Sequence, residues 1–134
     1  MWTTEHSIET TATREDVWAA WADVARWAEW NGDIEHVELS GPFAAGSTIS
    51  MTPIGQEAVT LRIARADEPE VFVDEADVDG TVIRTIHRVD RVDGDRVRIV
   101  YRMEATGPLA ETLGPAISGD FPDTITALAQ RVQR

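Results

Sequence analysis

The segment IRTIHRVD, Ile83 to Asp90, holds residues that could do chemistry. Its alternation puts Ile83, Thr85, His87 and Val89 on one face and Arg84, Ile86, Arg88 and Asp90 on the other. The arginine face belongs in water, so Thr85 and His87 are expected to point inward. An imidazole held inside beside a carboxylate can titrate near neutral pH and act as a general acid or base. Hairpin register supplies its neighbours. A two-residue turn at Asp79-Gly80 sets Val78 opposite Thr81, and therefore Ala76 opposite Ile83, Asp74 opposite Thr85 and Phe72 opposite His87. A three-residue loop, Asp93-Gly94-Asp95, sets His87 opposite Tyr101, Thr85 opposite Met103 and Val89 opposite Ile99. The other face then pairs Arg84 with both Glu75 and Glu104. A two-residue Asp93-Gly94 turn would instead place arginines on the His87 face and is rejected. With Glu68-Pro69 turning, Ile63 meets Asp74 and Leu61 meets Ala76.

Directly opposed Cβ atoms lie roughly 5 Å apart and diagonal ones roughly 7 Å. Asp74, His87 and Tyr101 could therefore reach a common ligand, with His87 and Asp74 as acid and base and Tyr101 polarising a carbonyl. Structural alternatives stay open. His87 could hydrogen-bond Tyr101 or a water and fill space. Asp74, costly in an apolar cup unless paired or protonated, could pair with His87, bind a ligand hydroxyl, or meet an inward Arg62 or Arg65.

These residues need a sheet to hold them. Residues 2–10 alternate weakly as a first strand. Thr13 is the expected N-cap of the next stretch, with Asp16 completing a capping box. Val17, Trp18, Trp21, Val24, Trp27 and Trp30 recur at helical spacing, with Asp23 dividing two short helices and Asn31-Gly32 ending them. Six strands follow, near 34–40, 46–53, 56–66, 70–78, 81–92 and 95–106. Their short connections predict an antiparallel meander. Beyond Pro108, Leu109 and Leu113 mark a short helical piece. After a break near Ser118–Asp120, Phe121, Ile125, Leu128 and Val132 form the apolar stripe of a long helix, with Pro122 in its first turn. One amphipathic helix laid across a curved sheet rarely fills the whole concavity, so a ligand cavity of roughly 300–1,000 Å³ is expected. Its predicted lining is Trp30, Ile49, Met51, Leu61, Ile63, Phe72, Thr85, Met103, Phe121 and Ile125. Trp18, Trp21 and Trp27 read as core, and His6 and His36 as solvent-exposed.

The chain has 134 residues, the length of a single domain spanning 1–134. Its net charge of −12 would repel phosphate backbones and anionic lipid surfaces, which argues against a nucleic-acid partner. All 12 basic residues are arginine. Without cysteine there are no disulfides and no thiolate ligands, and the Asp90, Asp93, Asp95 cluster lacks the spacing of a calcium loop, so no metal site is expected. No apolar run is long enough to insert in a membrane and no signal peptide is evident, which suggests a cytoplasmic protein.

The order of elements, the VWAAWADVARWAEWN stretch, the GPFAAGS turn and the TIHRVDRVDGDRVRIVYRMEATGPL run together resemble the polyketide cyclase/dehydratase-like branch of the START/Bet v 1 superfamily. The resemblance spans essentially the whole chain. It implies an α+β helix-grip fold, in which a seven-stranded antiparallel sheet wraps a long C-terminal helix and two short helices follow the first strand. It also implies binding of a small hydrophobic or aromatic, polyketide- or lipid-like molecule in an internal cavity, with cyclisation or dehydration as the chemistry of those members that are enzymes. No cofactor is implied. A non-catalytic carrier or sensor and a chaperone-cofactor-type interaction module remain alternatives, and the chain could be a monomer or a homodimer. None of the matching stretches is a catalytic signature, so no site residue carries over by motif.

Overall fold

Alternation and turn chemistry together set the observed elements. A computed structural model describes all residues, Met1–Arg134. In chain order they form β1 (Trp2–Thr11), α1 (Arg14–Ala22), a 3-10 segment (Val24–Glu29), β2 (Ile34–Ser40), β3 (Thr48–Pro53), β4 (Val59–Asp67), β5 (Val71–Val78), β6 (Thr81–Asp93), β7 (Arg96–Thr106), α2 (Ala110–Ser118) and α3 (Phe121–Val132). The seven strands make one antiparallel sheet in the order β1-β7-β6-β5-β4-β3-β2. β2 to β7 form the expected meander, and β1 closes against β7.

The β5–β6 hairpin carries the register of the candidate site. Asp79 and Gly80 both have positive φ, 51° and 82°, as a tight two-residue hairpin turn of this hand requires. Val78 therefore pairs with Thr81, Asp74 with Thr85, and Phe72 with His87. On the other side of β6, His87 pairs with Tyr101 and Thr85 with Met103, as anticipated. The route to this register differs from the sequence reading. Asp93 pairs with Arg96, leaving a two-residue turn at Gly94-Asp95, and an irregularity between Arg91 and Asp93 supplies the extra residue that the three-residue loop was expected to hold. The β4–β5 hairpin repeats the pattern. Asp67 pairs with Val71, and a shift between Ile63 and Arg65 restores the pairing of Ile63 with Asp74. In both hairpins a bulge compensates the loop length, so the inward faces stay as expected.

The helices cover one end of the inner face. Thr13 and Asp16 form the capping box of α1, and the Arg134 guanidinium grips Asp16 at 2.6 and 2.9 Å, joining the two chain ends. α3 presents Phe121, Ile125, Leu128 and Ala129 to the sheet. Ile49, Ile63, Val89, Ile99 and Met103 meet them and α1 in a closed core. Gly107 has φ of 135°, and an added Cβ would lie 2.7 Å from the Gly80 carbonyl oxygen. This close approach lets the Leu109 amide donate to Thr81 Oγ1 at 2.9 Å, which anchors the start of α2 beside β6. No helix is long and apolar enough to cross a membrane.

Candidate functional site

The helices leave the other end of the inner face uncovered, and a cavity of about 630 Å³ lies there. Its walls come from the inner faces of β3 to β7, Ile34 at the start of β2, Trp21 of α1, the 3-10 segment with the loop after it, and α2 with the start of α3. Asp74, Thr85, His87 and Tyr101 all reach it. So do Trp30, Met51, Leu61, Phe72 and Phe121 among the expected lining residues. Ile49, Ile63, Met103 and Ile125 do not line it. Ile49, Ile63 and Met103 share the sheet's inward face and Ile125 lies on α3, but all four are sealed in the core, 0%, 0%, 0% and 2% exposed. Alternation assigns a residue to a face; only helix placement decides which part of that face stays open.

His87 is fixed by its ring contacts. It stacks on Phe72, centroids 3.9 Å apart and planes 3° from parallel, and meets the Tyr101 ring edge-on at 4.7 Å. Its Nδ1 lies 3.3 Å from the Phe72 carbonyl oxygen. A carbonyl only accepts, so Nδ1 carries the proton and Nε2 presents a lone pair. The hydrogen-bond partner is thus a backbone carbonyl rather than Tyr101. Burial pushes the His87 pKa down to about 3, so the imidazole is neutral at physiological pH. It is an acceptor there, not a base poised near neutrality.

Asp74 is the titratable group at neutral pH. It is 6% exposed, and its Oδ2 stands 3.9 Å from His87 Nε2, beyond hydrogen-bonding distance. Burial, with a smaller contribution from the Glu75 charge, raises its pKa to about 7. Burial favours the neutral form of both partners, so the short approach is not an ion pair. Arg62 and Arg65 stay outside, paired with Glu75 and Asp67. Tyr101 receives a hydrogen bond from Trp21 Nε1 at 3.1 Å, which occupies its oxygen and leaves its own O–H free to donate. Burial raises the phenol's pKa, so that proton stays in place. The trio therefore offers a carboxyl group poised between acid and base, a neutral nitrogen acceptor and a phenol donor.

Several wall residues escaped the sequence reading. Trp21 and Trp27 are buried as expected but also face the cavity, and Trp21 sets the direction of the Tyr101 hydroxyl. Asp33 and Asp120 stand at the opening, flanked by exposed Ile54 and Ile117. Burial, then the Asp33 carboxyl beside it, lifts the Asp120 pKa to about 6. In sequence, Asp120 falls in the break near Ser118–Asp120 and Asp33 follows the Asn31-Gly32 stop, so nothing local marks either. His36 is exposed as expected, whereas His6 is half-buried, edge-on to Phe121 at 6.5 Å, because it pairs with Tyr101 on the inner face of β1. No three His, Asp or Glu side chains gather in a way that could hold a metal ion.

Known proteins share this architecture. The truncated norcoclaurine synthase from Thalictrum flavum superposes with a TM-score of 0.80 at 17% identity, covering 98% of this chain and 92% of that one. A START superfamily protein from Mycobacterium smegmatis gives 0.76 at 14% identity, covering 97% and 96%. The di-domain ARO/CYC protein BexL gives 0.77 at 14% identity over 99% of this chain and 50% of that one. At such identities the likeness concerns the fold. No curated protein matches the sequence. The family described as polyketide cyclase / dehydrase and lipid transport matches residues 1–133, and with its helix-grip sheet and internal cavity the chain belongs to that family.

Proposed function

We propose that the protein takes up a small hydrophobic or aromatic molecule in its cavity and catalyses removal of a proton α to a carbonyl group, the step that cyclisation and dehydration share. The observation that carries this reading is Asp74, a carboxyl group buried in an apolar cavity, without a hydrogen bond, with its pKa raised to about 7. A pKa near the working pH suits a group that must both take and return a proton. The Tyr101 O–H, free because Trp21 occupies its oxygen, donates to the substrate carbonyl and stabilises the developing enolate. The Asp74 carboxylate removes the α proton. In dehydration it returns that proton to the departing hydroxyl, so a β-hydroxy ketone yields an enone and water. In cyclisation the enolate carbon attacks a second carbonyl, and the proton goes to the new alkoxide. His87 Nε2 accepts from the protonated Asp74 as the pair closes on the ligand, orienting the carboxyl group.

The family's description names both cyclase/dehydrase and lipid transport, so a carrier that releases its ligand unchanged is the rival reading. A carrier gives Asp74 a hydrogen-bonding role only. The aldol of benzaldehyde and acetone, an aromatic β-hydroxy ketone, separates the two. Enone formation above the buffer rate is expected with the native protein. Asp74→Asn should lower it by about 10²–10⁴ while binding changes only a few-fold. Binding of the aldol with no turnover would favour the carrier, and turnover unaffected by Asp74→Asn would remove Asp74 as the proton-transfer group.

A further inference from the structure

The cavity can carry charge of one sign only. Its ionisable walls are Asp33, Asp74, Asp120, His87 and Tyr101, and none of the 12 arginines lines it. His87 is held neutral and Tyr101 keeps its proton, so any charge on the walls is negative. Two placements make this more than an acidic patch. Asp120 occupies the N-cap of α3 yet makes no capping hydrogen bond. Its carboxyl instead hydrogen-bonds the carboxyl of solvent-exposed Asp33 at the opening, an approach that like charge opposes when both are ionised. Deeper in the same cavity, Asp74 is more than nine-tenths buried and has no hydrogen-bond partner. A pair of carboxyl groups at the opening and an unpartnered carboxyl deeper in the same apolar space suit a cationic or proton-donating occupant.

Building on the ligand-binding role above, we propose that the ligand carries a basic nitrogen, that the Asp33–Asp120 pair is the counter-charge of its ammonium group, and that the cavity rejects carboxylates and phosphates. An ammonium group between two carboxylates relieves their repulsion and makes charge-assisted hydrogen bonds to both. Its apolar body then lies along Met51, Leu61 and Phe72, toward the trio. An anionic ligand of the same shape would bury its charge beside three carboxyl groups with no cation to meet it.

Three probes with one aromatic body test this: naphthylethylamine, naphthylethanol and naphthylacetate, titrated by calorimetry with tryptophan emission as a second readout. The amine should bind at least about tenfold tighter than the acid, with the alcohol between them. Asp120→Asn and Asp33→Asn should each weaken the amine about tenfold and leave the alcohol within about twofold, with thermal melts confirming that both variants fold. Acid binding as tight as amine binding, or equal losses for amine and alcohol in both variants, would overturn the charge preference and leave the cavity's ligand-binding role intact. Failure of all three probes to bind would overturn the ligand-binding role and this proposal with it.

Discussion

On the outer face of β5, Glu75 accepts hydrogen bonds from Arg62 at 2.6 Å and Arg84 at 2.8 Å. One residue earlier, on the inner face, Asp74 accepts none. The contrast extends across the sheet. Outside, Arg84 also approaches Glu104, Arg102 lies between Glu104 and Glu5, and Arg96 and Arg98 share Glu9. Every one of these charges has both a partner and water. Inside, Asp74 and His87 come within 3.9 Å and still do not bond. The outer face therefore places charges where they cost little, and the inner face keeps two ionisable groups where folding alone would favour apolar ones. Ionisable groups held in a cavity at a cost to the fold are candidates for a functional site, in line with the role proposed for Asp74.

The largest effect should come from removing the inner charge. Above pH 7 the folded protein must hold Asp74 ionised in an apolar wall, whereas the unfolded chain ionises it freely above about pH 4. Asp74 thus withdraws stability progressively as pH rises from about 4 to 7. His87 acts in the opposite sense. Its folded pKa of about 3 lies below the unfolded value of 6.5, so its contribution is present above pH 6.5 and is lost as pH falls toward 3. The two slopes nearly cancel between about pH 4 and 6.5. Asp74→Asn should therefore raise stability by about 2–4 kcal/mol at pH 8, roughly 5–10 °C in Tm, and by little at pH 4. It should also uncover the His87 slope as a rise in Tm from pH 4 to 6.5. Thermal melts across this range check both points; a variant destabilised at pH 8 would mean that Asp74 supports the fold.

The outer charge should matter less. Glu75→Gln weakens two ion pairs in which the glutamate side chain is 24% exposed. A loss of about 1 kcal/mol or less is expected, shrinking further in high salt. Urea melts at low and high ionic strength measure it. A loss larger than the gain from Asp74→Asn would invert the comparison between the faces.

The fold and the inward residues were legible because they rest on local signals. Asp79-Gly80 fixes one register, and alternation in β6 fixes the face of His87. The bulges between Ile63 and Arg65 and between Arg91 and Asp93 left no local signal, yet each offset a misjudged loop and preserved the inward set. Depth and protonation were not legible, since both depend on contacts distant in sequence. Ile49 and Met51 share a face of β3, but only Met51 reaches the cavity, because Ile49 is sealed in the core. The neutrality of His87 comes from Phe72, Tyr101 and Trp21 packed around it, brought together from three elements. Asp33 and Asp120 are 87 residues apart and meet only when α3 docks beside β2's lead-in.

The most direct test is the ionisation of Asp74 itself. A carbon-13 carboxyl NMR titration of the free protein, with Asp74→Asn to assign the resonance, reads it without a substrate. The account predicts a midpoint of about 7, above that of about 6 for Asp120. A midpoint at or below the ordinary value of 3.8 would mean that Asp74 is a stably paired carboxylate, contradicting the proton-transfer role proposed for it.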